Sequence, residues 1–310
     1  MTIATHLSAL LLATVGVVVG ASPLPLPSQS TADVNANLNL NFSIPSALTS
    51  SPLYGAPAND FSCRSARNPV VLLHGLSANP DVDLNLLQSE LNRRGYCTFS
   101  LTYGAHPLAG WIGGVGDMRA SAAEIADFIR QVRTETGAAR VDVVGHSEGG
   151  SQALYVPLTQ PGVAAILERV VALGPAVRGA RYLGFADLWY VGGDATRALV
   201  GAALDLLGCT ACEQLAPDGL VTTRFITADR IAQDGNKVTI ITSAHDALVP
   251  TSMSVVDEPG VRNVLVQDTC PDDGVAHVGL AWDKSVWRLV VNALEENDDE
   301  VFPCDMGLPF

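Results

Sequence analysis

Five residues near the middle of the chain, Gly145-His146-Ser147-Glu148-Gly149, combine a nucleophile with a spacing that exposes it. They fit G-x-S-x-G, a strained strand-to-helix turn that lifts a serine hydroxyl clear of a sheet. The turn is so tight that a Cβ two residues to either side of the serine would strike neighbouring backbone, which is why glycine stands at both places. An apolar stretch, Val141 to Val144, precedes the turn, and Gly149 to Leu154 opens a helix after it. The free N–H groups and positive dipole end of that helix would stabilise negative charge growing on an acyl oxygen. The chemistry indicated is covalent acyl transfer on Ser147.

A serine nucleophile needs a base, and the base needs an orienting acid. Behind a turn of this kind they follow in the order serine, acid, histidine. Of the 6 histidines, His6, His74 and His106 precede the turn and His146 is part of it. That leaves His245 and His277. His277 sits in a loop just before the last helical stretch and is the candidate base. Asp246 closes the strand before it and is the candidate acid, with Asp268, Asp272 and Asp273 as rivals in the crowded histidine loop. The oxyanion donors expected are the backbone N–H of Glu148 and that of Leu76, in the His74-Gly75-Leu76 loop. His74 reads as structural. No metal-ligand cluster or dinucleotide loop is evident, so neither metal nor cofactor is expected.

The surrounding chain alternates strand and helix. Pro69–Leu73 is a short β-branched run of the kind buried on both faces of a sheet. Helical spacing over Asp81–Arg94 precedes a strand at Tyr96–Thr102. Met118–Thr136 is an amphipathic helix stopped by Gly137. Further strands are expected at Arg140–Val144, Val170–Leu173, Val238–Thr242 and Val261–Val266, and a closing helix at Asp283–Asn297. The order implies an α/β fold, a mostly parallel sheet with helices on both faces. Sites in such sheets lie at the carboxyl ends of the strands, where Ser147 and Asp246 fall.

The chain has 310 residues, 48% of them hydrophobic and only 16% charged, which excludes an intrinsically disordered protein. A formal net charge of −14 argues against a nucleic-acid partner and against docking on anionic lipid. Leu7–Val19 is apolar, too short to span a bilayer comfortably, and is followed by small residues. Residues 1–21 read as a signal peptide cleaved near Ala21, which makes the protein secreted. No other stretch is long and apolar enough for a transmembrane segment. Residues 22–59 are rich in Pro, Ser and Asn and read as a propeptide or extended N-terminal arm, with a glycosylation sequon at Asn41. Residues 60–310 form the catalytic domain. The 6 cysteines, Cys63, Cys97, Cys209, Cys212, Cys270 and Cys304, imply disulfides in a secreted chain, though spacing does not choose the pairing. Cys209-x-x-Cys212 follows a helical stretch and reads as a short structural bridge.

Pro69–Gly75, Arg94-Gly95-Tyr96-Cys97, Gly145–Gly150 and His277–Asp283 together resemble the secreted microbial triacylglycerol lipases and esterases of the α/β-hydrolase superfamily. The likeness runs over roughly Asp60 to Cys304. It implies an α/β-hydrolase fold with a small cap insertion at about 179–228, and pairs Cys63–Cys97, Cys209–Cys212 and Cys270–Cys304. An apolar cap suits an acyl-chain pocket or a lipid-facing lid. The partners implied are a neutral ester or lipid substrate and transient contact with a lipid interface. Two positions depart from the family. Glu148 stands where glutamine is common, and an anion there is unhelpful unless it points away or is paired. Leu76 stands where a threonine often adds a side-chain donor, a loss worth on the order of 10²-fold in rate. The expected function is a secreted serine carboxylic-ester hydrolase, a lipase acting on acylglycerols or related lipid esters. Its alternatives are an acyltransferase, polyester depolymerase or amidase with the same triad, or a non-catalytic binding module.

Overall fold

The computed structural model describes residues 59–180, 204, 208–297 and 300–307. The expected signal peptide, the expected arm up to residue 58 with Asn41, and residues 181–203 and 205–207 of the expected cap lie outside the described residues.

Six strands form one sheet: β1 (Val70–Leu73), β2 (Thr98–Ser100), β3 (Val141–His146), β4 (Leu167–Leu173), β5 (Lys237–Thr242) and β6 (Val261–Leu265). They lie in the order β2-β1-β3-β4-β5-β6, and each neighbouring pair is parallel. Parallel neighbours need crossovers, which the helices supply. Eight helices are described: α1 (Asn85–Arg93), α2 (Met118–Thr136), α3 (Glu148–Thr159), α4 (Thr210–Gln214), α5 (Leu220–Ile226), α6 (Thr251–Ser254), α7 (Val266–Thr269) and α8 (Lys284–Glu295).

Successive strand side chains point to opposite faces, and the buried residues divide accordingly. Val71, Leu73, Val143, Val170, Ala172 and Ile240 share one core with Ile125 and Ile129 of α2 and Leu154 of α3. Val70, Leu72, Val144, Val171, Leu173 and Ile241 share the other with Leu87 and Leu91 of α1 and Val286 and Val290 of α8. Both faces of β1 and β3 are therefore dry, and each fully buried aliphatic side chain contributes about 1.5–3 kcal/mol. The ends of α2 follow local chemistry. The Asp117 carboxylate accepts from the N–H groups of Arg119 and Ala120, and Gly137 closes the helix in the left-handed region, φ 69°.

Several boundaries differ from the sequence expectation. The helix expected from Asp81 begins at Asn85, because Asn79 gathers the N–H groups of Asp81, Val82 and Asp83 into a turn. β2 is shorter than Tyr96–Thr102. Its outer edge meets Asn59, whose side chain bonds both the N–H and the carbonyl of Ser100. β4 starts earlier, at Leu167, because Arg169 is held by the buried Asp142 carboxylate of β3 and by Glu296. Cys209 caps the start of α4. The disulfides are Cys63–Cys97, Cys209–Cys212 and Cys270–Cys304. They are the pairs the resemblance implies.

Candidate active site

β3 delivers Ser147 into a turn that only close backbone approach allows. A Cβ on Gly145 would strike the Gly149 carbonyl, and one on Gly149 would strike the carbonyl of Leu73 in β1. Ser147 itself sits at φ 57°, ψ −118°, a strained conformation for a residue with a side chain. Its N–H donates to the Leu173 carbonyl of β4, 2.8 Å away, which anchors the turn to the sheet.

Asp246 lies in the loop after β5 and His277 at the start of the turn Val278–Ala281. Ser147 Oγ is 2.7 Å from His277 Nε2, and His277 Nδ1 is 2.6 Å from Asp246 Oδ2. Asp246 Oδ1 accepts from the N–H groups of Leu248 and Val249, so the carboxylate is fixed from behind. Asp246 and His277 are buried, and Ser147 is half-buried. His245 points to solvent. Among the rival acids, the Asp273 Oδ1 instead accepts from Val275 and Gly307 N–H groups.

Leu76 and Glu148 flank Ser147 in a cavity of about 400 Å³. Its walls are mainly apolar, with Val82, Ala180, Leu215, Leu248, Val278 and Trp282. Ala180 and Leu215 come from the stretch between β4 and β5, where the sequence leads one to expect a cap. The Glu148 N–H belongs to the first turn of α3, where amides have no intrahelical acceptor.

Sequence reasoning missed Asp83. Its carboxylate meets His146 Nδ1 at 2.9 Å and accepts the Gly75 N–H at 2.6 Å. His146 Nε2 in turn bonds the His277 carbonyl, 2.9 Å away. One buried pair thus ties together the Gly75 loop, the nucleophile turn and the histidine loop. Burial opposes charge on both groups, but their mutual attraction wins: the Asp83 carboxyl is lowered and the His146 imidazole raised. No sequence signal could have found Asp83, since nothing local links it to His146, 63 residues away.

Glu148 neither faces solvent nor meets a cation. Burial pushes its carboxyl up to about 8 against the opposing pull of Tyr103 and Gln152. The carboxyl lies against Gly114, which sits at φ 71°. A Cβ there would strike Glu148 Oε2 and come within 3.4 Å of Gly75 O and Leu76 Cα. His74 is structural, its ring stacked on Tyr103 at 4.3 Å and its charge suppressed by burial.

Residues 67–176 match the family Lipase (class 2). The fold superposes on Aspergillus fumigatus lipase B with a TM-score of 0.59 at 18% identity, over 92% of this chain and 64% of that one. The chain has the α/β-hydrolase fold. A soluble variant of monoglyceride lipase from Saccharomyces cerevisiae shares the fold, with a TM-score of 0.54 at 17% identity over 79% and 89% of the two chains. A triacylglycerol lipase of Pseudarthrobacter phenanthrenivorans is 31% identical over 129 residues, 40% of this chain and 37% of that protein. One from Burkholderia plantarii is 30% identical over 129 residues, 40% and 33%. The chain thus spans about a third of the length of the curated relatives it matches. The family match holds Leu76, Asp83, Ser147 and Glu148, while Asp246 and His277 lie beyond it.

Proposed function

We propose that this α/β-hydrolase cleaves carboxylic esters, and that its substrates are neutral acylglycerols or related lipid esters. The observation that carries this is the unbroken line Asp246–His277–Ser147, with contacts of 2.6 and 2.7 Å, opening on a largely apolar cavity. His277 Nε2 takes the Ser147 proton as Oγ attacks the ester carbonyl. The carbonyl oxygen becomes an oxyanion beside the Leu76 and Glu148 N–H groups. His277 then gives its proton to the departing alcohol, leaving Ser147 acylated. Water, deprotonated by His277, releases the carboxylic acid and restores the serine. Asp246 holds the imidazole and balances its charge throughout.

Lipid esters fit the apolar lining and the lipase relatives in the matched segment. Exposed Val82, Val278 and Trp282 at the cavity support transient contact with a lipid interface. The three disulfides favour an oxidising compartment, in keeping with secretion. No helix among the described residues is long and apolar enough to cross a membrane.

The test is hydrolysis of p-nitrophenyl esters over a range of acyl lengths by the wild type and Ser147→Ala. Turnover by the wild type alone, rising toward longer acyl chains, is expected. Equal turnover by both proteins removes Ser147 from the reaction. A preference for the shortest chains makes the protein an esterase rather than a lipase.

A further inference from the structure

We propose that Glu148 works as a neutral carboxylic acid, and that its ionisation switches off the reaction at Ser147 by putting a negative charge behind the oxyanion donors.

The hydrogen count at the site requires that proton. Tyr103 has one hydroxyl hydrogen, and its oxygen lies 2.5 Å from the His74 carbonyl, which can only accept. The phenolic hydrogen is therefore committed there. The 3.2 Å contact between Tyr103 and Glu148 Oε2 then lacks a hydrogen unless Glu148 supplies one. On the other side of the carboxyl, Glu148 Oε1 and Gln152 Oε1 are both buried without a partner. They lie one helical turn apart on α3. Rotating the Gln152 amide does not help, because its Nε2 donates to the Met118 carbonyl at 3.0 Å. A proton on Glu148 supplies the hydrogen that the Tyr103 contact lacks, and a bare charge on a carboxyl with a buried, unpartnered oxygen is costly.

The surroundings offer no alternative way to carry charge. Tyr103, from the loop after β2, and His74, from the loop after β1, are both neutral, the first held well above the usual phenol range by burial. Gln152 on α3 is uncharged. Besides Glu148, the charges acting on the neighbouring Tyr103 are Asp83, which is paired with His146, and Glu124 of α2, itself an acid. No cation contributes at Glu148, which is fully buried.

Position makes the proton matter to the reaction. Gly114 separates the Glu148 carboxyl from the backbone of Gly75 and Leu76, and Glu148 also carries one of the two oxyanion donors. A carboxylate there would oppose the oxyanion in a dry site, where charge is weakly screened. A neutral acid leaves the donors unopposed. Glu148 is thus a positioning residue in its side chain, acting through the field at the donors, and this role rests on the ester-hydrolysis reading above.

The test compares kcat/KM against pH for the wild type and Glu148→Gln, with a neutral short-chain ester. The wild type is expected to lose activity above about pH 8, close to tenfold per further pH unit. Glu148→Gln is expected to show a flat alkaline plateau, whatever its height. A wild type without an alkaline limb, or a limb unmoved in the variant, overturns the proposal. Thermal unfolding gives a readout free of catalysis. Folded Glu148 keeps its proton while the unfolded residue, near 4.5, has lost it, so the contribution of Glu148 to stability falls as pH rises from 4.5 to about 8. The Tm difference, Glu148→Gln minus wild type, is expected to grow across that window. A constant difference overturns the neutral acid. Should no ester be turned over at any pH, the hydrolase reading fails separately, and the Tm difference alone decides whether Glu148 holds its proton.

Discussion

Two aspartate–histidine pairs lie side by side in this protein, their imidazole rings 5.3 Å apart. In both, Nδ1 of the histidine meets a buried carboxylate, at 2.6 Å for Asp246–His277 and 2.9 Å for Asp83–His146. They differ in what faces the second nitrogen. His277 Nε2 faces a hydroxyl that can give up a proton, whereas His146 Nε2 faces a backbone carbonyl that has none. Under the proposed mechanism the same pair of side chains is therefore a proton relay in one place and a clamp in the other. The clamp holds the relay, since the carbonyl bonded by His146 is that of His277.

Removing each carboxylate should separate the two roles. Asp246→Asn is expected to cost about 10⁴-fold in kcat with little change in stability, because the imidazole loses its orientation. Steady-state kinetics beside a denaturant titration would show it; a loss below tenfold would remove Asp246 from the relay. Asp83→Asn should do the reverse. It strands a buried imidazolium and is expected to cost about 3–5 kcal/mol of unfolding free energy. Its effect on kcat should stay within about 10²-fold, through loosening of the Gly75 loop. If Asp83→Asn is as stable as the wild type, the clamp is not a charged pair.

The clamp also has a pH signature. Asp83 is lowered from 3.8, so its stabilisation is present above that value and is lost as pH falls through the folded value. His146 is raised from 6.5, so its stabilisation is complete below 6.5 and is lost as pH rises through the folded value. The stability gap between wild type and Asp83→Asn should be widest between pH 3.8 and 6.5 and narrow on both sides. A gap independent of pH would show that the pair is held by packing alone. The smallest effect belongs to His245, the histidine next to the acid. It is exposed, and His245→Ala should leave activity within about twofold.

What the sequence revealed follows from how local each constraint is. The turn at Ser147 announces itself, because its geometry forces glycine at fixed offsets and an apolar strand before it. Asp246 and His277 could be placed because strand ends and chain order limit the choices. The helix at Met118–Thr136 was legible to the residue, having a capping aspartate, a clear apolar face and a closing glycine. Asp83 was hidden because its partner is distant in sequence and its own segment reads as helix. Glu148 stood out as a departure, but its protonation depends on the Tyr103 hydroxyl and the Gly114 approach, which are tertiary facts. The start of β4 was obscured by Glu168 and Arg169, charges that read as a boundary until their partners are seen.

The two long-range disulfides sit at the margins of the sheet. Cys97 immediately precedes β2, the strand at one edge, and Cys270 follows α7, which continues from β6 at the other. Both join residues 34 apart in sequence. Edge strands carry unpaired backbone groups that can template pairing with another chain. Stapling both margins hinders the fraying that would lay those groups bare. Reduction should therefore open the sheet from its two sides while β1, β3 and β4 stay paired. The material lost first in a reducing cytosol would be lost to edge-to-edge aggregation, even with the residues around Ser147 still in place.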